Sequence, residues 1–115
     1  MNAPSQSKSP RVFVTQEVRT GRIDYSPARK YGQLTFCTIQ DFSPENDSII
    51  NKVIIDELRT RLRDFDAEND FVVTSGSPLI IAAVFMVLRE RTAKVRVLRW
   101  SNRDLIYQEV SINLL

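Results

Sequence analysis

Asp70 to Val84 reads "DFVVTSGSPLIIAAV", and the meaning of this stretch decides the fold. "FVVTS" (Phe71 to Ser75) is apolar-leaning throughout, the pattern of a strand covered on both faces, as in a parallel sheet. Gly76 then supplies a tight turn or a positive φ. Ser77 and Pro78 make a helix start, a capping side chain followed by proline at the first helical position. From Pro78 to Thr92 the chain runs "PLIIAAVFMVLRERT", apolar nearly all round. That predicts a buried helix with only its C-terminal end in water and with Phe85 and Met86 in the core. Strand, glycine turn and helix in this order also form the layout that cradles phosphates in nucleotide-binding folds.

Toward the N-terminus, "RVFVTQEV" (Arg11 to Val18) is rich in β-branched and aromatic residues and predicts a strand closed by Thr20-Gly21. Ser26-Pro27 starts one short turn before Gly32, and "QLTFCTI" (Gln33 to Ile39) predicts a second strand. From Ser48 to Phe65 the residues Ile49, Ile50, Val53, Ile54, Leu58, Leu62 and Phe65 recur at helical spacing as one apolar stripe. Glu45 and Asp47 before its first turn and Arg59, Arg61 and Arg63 in its last turns suit the helix dipole. The acidic run Asp64, Asp66, Glu68 and Asp70 lacks the glycine and final glutamate of a calcium loop and reads as a solvated linker.

Toward the C-terminus, "AKVRVLRW" and "LIYQEVSINL" both alternate around "SNRD" (Ser101 to Asp104), which predicts a hairpin. Pairing Trp100 with Leu105 sets Leu98 opposite Tyr107, Arg96 opposite Glu109 and Val95 opposite Val110, matching polarity on both faces. Strands alternating with helices imply right-handed parallel crossovers. The expected fold is therefore a compact α/β domain over residues 11–115: a mixed, mostly parallel sheet of about five strands, two main helices and a C-terminal β-hairpin. Residues 1–10, "MNAPSQSKSP", read as a flexible tail without the apolar core of a signal peptide.

Composition narrows the chemistry. The chain has 115 residues, no histidine and one cysteine, Cys37. That removes Ser-His-Asp and Cys-His catalysis, histidine-containing zinc sites and any intrachain disulfide. Cys37 within "LTFCTI" reads as a buried thiol. A net charge of +2 does not by itself imply nucleic acid or membrane. The charge is segregated, however: Arg89 to Arg103 holds the six basic residues of the last third. The longest apolar run, Leu79 to Leu88, is short of the roughly 20 residues that span a bilayer. A soluble, cytoplasmic protein is expected.

Taken together, "VTQE", "KYGQL", "DFVVTSGSP" and "VLRW" with Tyr107 beyond it resemble the punctuation of a group of small, uncharacterised proteins encoded by tailed bacteriophages. That group carries an Asp-aromatic strand ending in Gly-Asp-Pro and a Leu-Lys-Trp-Asp element before the hairpin. Ser77 and Ser101 depart from it, standing where the group has acids. The resemblance implies a fold and work inside an infected bacterium, but no mechanism.

Two constellations stand out as candidate sites. The turn Thr74, Ser75, Gly76 and Ser77 lies where an open α/β sheet collects ligands, and its amides and hydroxyls could hold an anion. It has no lysine, and Pro78 removes one amide donor. Lys94, Arg96, Arg99, Trp100, Arg103 and Tyr107 on the hairpin suit a protein interface or stacking on single-stranded nucleic acid. No catalytic set, metal site or cofactor motif emerges. The expected function is a non-catalytic phage accessory protein acting through protein-protein binding, with an unidentified partner or a homo-oligomer. The alternatives are a nucleic-acid or nucleotide/phosphate-binding protein and a small enzyme acting on a phosphorylated ligand.

Overall fold

The structure, a computed structural model, describes residues 9–21, 23–45 and 48–115. The elements run β1 (Arg11–Val14), a 3₁₀ helix (Ser26–Tyr31), β2 (Gln33–Phe36), α1 (Ile49–Arg61), β3 (Phe71–Val73), α2 (Pro78–Arg89), β4 (Lys94–Ser101) and β5 (Ile106–Asn113). They form one five-stranded sheet of order β2-β1-β3-β4-β5. The first four strands are mutually parallel, and β5 closes the sheet antiparallel to β4. The expected α/β class, sheet type, two helices and hairpin are all present. Residues 1–8 of the expected tail and Asp47 lie outside the described residues. Pro10, expected in that tail, is already held: its carbonyl accepts the Gln33 amide at 3.1 Å.

The strand order follows from the connections. β1 passes through the 3₁₀ helix to β2 on one side, and β2 then crosses back through α1 to β3 on the other. Right-handed crossovers that reverse direction must cover opposite faces of the sheet. The core divides accordingly. On one face Phe13, Val72, Val95 and Val97 pack under Ile54, Leu58 and Leu62 of α1 and Ile80, Val84 and Leu88 of α2. On the other, Val12, Val14, Phe71, Val73, Leu98 and Tyr107 pack under Ala28, Tyr25 and Tyr31 of the 3₁₀ segment. Central strands buried on both faces explain why β3 has no polar alternation.

Three expectations about the helices and the hairpin need correction. Only part of the α1 stripe is buried: Ile54, Leu58, Leu62 and Phe65 face the core, while Ile49, Ile50 and Val53 are half or more exposed. At 100° per residue Ile49 and Val53 fall off the line through Ile54 and Leu58, and Ile50 stays on it but lies one turn beyond the covered sheet. Helix α2 is not buried all round. Met86 is 72% and Leu79 65% exposed, because one face meets the sheet and, among the described residues, nothing covers the opposite one. The hairpin register is displaced by two residues: Trp100 pairs with Tyr107, Leu98 with Glu109, Arg96 with Ser111 and Val95 with Ile112. An even displacement keeps every side chain on its expected face, so face matching could not detect it. Arg96 still reaches Glu109 diagonally, at 3.9 Å.

Candidate functional site: a cleft at the carboxyl ends of the strands

The reversal of direction places a topological switch point between β1 and β3. In doubly wound sheets the crevice outside the carboxyl ends of such strands is the usual ligand site. Here it receives the residues after β1, Thr15 and Gln16, and those after β3, Thr74 to Ser77. Thr15 and Ser75 lock the two strand ends together. The buried Thr15 hydroxyl donates to the Ser75 carbonyl at 2.6 Å and accepts the Ser75 amide at 2.8 Å.

Gln16 fills what would be the anion seat. Its side-chain carbonyl accepts the Ser77 amide at 2.6 Å, while its amide group donates to the Gln40 carbonyl at 2.7 Å. Ser77 is the N-cap of α2, its hydroxyl accepting the Leu79 amide at 3.3 Å, and Pro78 at the first position has no amide to offer. Two donors that would meet a phosphate are thus spent on internal oxygens. Gly76 has φ +88°, and a Cβ there would collide with Gln16 Oε1 and stand 2.7 Å from Gln16 Cβ. The glycine is needed for close packing as well as for the turn. The sequence shows Gln16 only as the end of a strand, and no local signal marks it as the plug of this crevice.

Beside the plug a cleft of about 610 Å³ opens on the 3₁₀ face of the sheet. Val73 and Leu98 form its floor, and Thr74, Ser75 and Gly76 close one end. Ile23, Tyr25 and Pro27 make one wall; Trp100, Leu105 and Tyr107 make the other. The two-residue displacement of the hairpin builds that second wall, because it sets Trp100 against Tyr107 edge to face, with ring centroids 5.0 Å apart. Tyr25 joins the walls to the crevice. Its hydroxyl shares a 2.7 Å hydrogen bond with Ser75 Oγ and accepts the Val18 amide at 3.1 Å. Asp24 is on the rim, its Oδ1 accepting the Ser26 amide at 2.9 Å. That bond and the Ser26 side chain hold its carboxyl below the ordinary aspartate value, outweighing the opposing effect of burial, with nearby Arg29 a lesser help. Burial, with Tyr25 and Asp24 nearby, pushes the Tyr107 phenol up.

The structure therefore brings Thr74, Ser75 and Gly76 together with Trp100 and Tyr107, two groups the sequence offers as separate sites, and turns Ser77 toward Gln16. The basic residues of the hairpin do not gather with them. Arg99 lies on the helix face of β4, opposite Trp100, and bonds Gln108 at 3.1 Å. Arg96 lies over the Phe71 ring at 4.1 Å and donates to the Glu68 carbonyl at 2.8 Å. Lys94 stands 4.0 Å from Glu68, and Arg103 3.9 Å from Asp104 in the turn.

Two groups away from the cleft have internal roles. Asp70, expected in a solvated linker, is 1% exposed at the opposite end of the sheet. It accepts the Arg11 and Asp66 amides at 2.9 and 2.8 Å and pairs with the Arg11 guanidinium at 3.5 Å. Cys37 is buried, and desolvation pushes its thiol up to about 12, which keeps it protonated and inert. Among the described residues no group of acids or thiols could hold a metal ion, and no helix is long and apolar enough to cross a membrane.

Fold and cleft together define a class: a small doubly wound α/β domain with an aromatic-walled cleft at its switch point. The chain belongs to the Phage Pam3 gp32-like protein family, whose model matches residues 10–114 and so covers both walls of the cleft and the whole sheet. No curated protein and no solved structure matches it.

Proposed function

We propose that this phage protein is a non-catalytic accessory protein that works by protein binding in the cytoplasm of the infected cell, and that its partner is a second copy of itself joined along β5. The observation that carries this is the unprotected edge. β5 is eight residues long, ends the sheet, and contains no proline, glycine, lysine or arginine, the residues that ordinarily blunt an edge strand. Its one charge, Glu109, faces Arg96 of the same sheet. Ile106 and Ile112, on the helix side of the strand, are exposed, and Leu114 continues the apolar run. The opposite edge, β2, has only four residues. A two-fold antiparallel pairing centred on Val110 would extend the sheet through the dimer. It would set each Glu109 opposite Ser111 of the other copy, so like charges do not meet.

Light scattering on the purified protein tests this directly. A dimer is expected, and Ile112→Lys, which places a charge on the free edge, is expected to give a monomer with unchanged far-ultraviolet circular dichroism. A wild type that stays monomeric at high micromolar concentration, or an Ile112→Lys variant that remains dimeric, overturns the reading. The phosphate-binding alternative has less behind it, because Gln16 occupies the Ser77 amide and Arg99 faces away from Trp100.

A further inference from the structure

We infer that the cleft between Tyr25 and Trp100 binds an organic cation, an ammonium or guanidinium group carried on an apolar stem. Its charge and its walls point the same way. Asp24 is the only charged residue among those described that line it, so the field inside favours a positive group and opposes a phosphate. Tyr25, Trp100 and Tyr107 supply aromatic rings, whose faces attract cations, tryptophan most strongly. Hydroxyl oxygens of Thr74 and Ser75 at the closed end can accept N–H donors, and Val73 and Leu98 offer an apolar floor for the stem. The cleft's 610 Å³ falls within the range of about 300–1,000 Å³ that takes a small organic molecule or a long side chain.

The division of labour follows from exposure. Asp24 is in water, where an isolated ion pair adds little affinity. The rings and floor therefore supply most of the binding, and Asp24 selects the sign of the charge. The same chemistry can arrive on a free amine or on an arginine or lysine side chain of a polypeptide.

Trp100 is the only tryptophan in the chain, so its fluorescence reports on the cleft alone. Phenethylamine, phenethyl alcohol, phenyl phosphate and N-acetyl-arginine amide are titrated against the full chain and against Asp24→Asn, with circular dichroism confirming that each is folded. The amine is expected to bind about tenfold more tightly than the alcohol, with phenyl phosphate weakest. Asp24→Asn should narrow the gap between amine and alcohol a few-fold, leaving the share the rings supply, and should leave alcohol binding in place. Tighter binding of the arginine amide than of phenethylamine assigns the cleft to a polypeptide side chain, and the reverse assigns it to a free amine. Equal binding of amine and alcohol, phenyl phosphate as the tightest probe, or unchanged Trp100 emission with every probe overturns the inference.

Discussion

Gly76 shows how much one missing methyl group can carry. Two separate demands meet at this residue: a left-handed backbone and the absence of a Cβ where Gln16 lies. Gly21 faces only the first, with φ +79° and open space, nothing within 4 Å, where a Cβ would stand. The pair separates the two costs. Gly21→Ala should lose about 1 kcal/mol, the backbone term of a left-handed alanine. Gly76→Ala should lose about 3 kcal/mol, since the Gln16 plug must also shift and give up bonds to Ser77 and Gln40. Urea unfolding of the two variants checks this, and equal losses would mean that Gln16 moves aside freely. The turn at Gly76 is legible in the sequence, but Gln16 opposite it is not, because that contact joins residues sixty positions apart.

At the scale of elements, the cap of α2 was legible and the burial of α2 was not. Ser77-Pro78 is a local signal, and the helix begins there. The cap's strength is measurable. Ser77→Ala should destabilise by about 1 kcal/mol, through loss of the Leu79 bond. Ser77→Asp, the residue the resembling phage group carries, should raise the melting temperature slightly, since a carboxylate caps as well and also meets the positive end of the helix dipole. A thermal melt of both variants decides it, and a destabilising aspartate would show that the Gln16 oxygen lies close enough to repel the new charge. Burial, by contrast, depends on what lies outside a helix. Nothing in "LIIAAVFMV" tells Leu79 and Met86 that one side will have no neighbour. The hairpin register failed for a related reason. Alternation fixes which face a residue takes but is blind to a shift by two, and the turn runs through residues 102–105 with Leu105, a non-glycine residue, at φ +56°. The same shift created the Trp100–Tyr107 wall, so the cleft could not be read from the sequence even though most of its residues stand out there.

Across the whole molecule, both cores share one set of strands. Adjacent residues of β1 serve opposite faces, Phe13 under the helices and Val12 and Val14 under the 3₁₀ segment, and Val72 and Val73 of β3 divide in the same way. Strand order, the feature with no local signature, is what couples the two layers. Neither can come apart without exposing the other side of β1 and β3, which predicts a single cooperative transition. The two layers carry separate probes. Trp100 reports the 3₁₀ face, against Tyr107 and the cleft, while far-ultraviolet circular dichroism is dominated by α1 and α2 on the opposite face. In urea the fluorescence and dichroism curves should coincide in midpoint and slope. An earlier fluorescence transition would show that the cleft side opens while the helices stay docked, making the cleft walls a separate, weaker unit. Coincident curves would mean that any ligand held between Tyr25 and Trp100 stabilises the entire sheet, so that its binding shifts the midpoint of both probes equally.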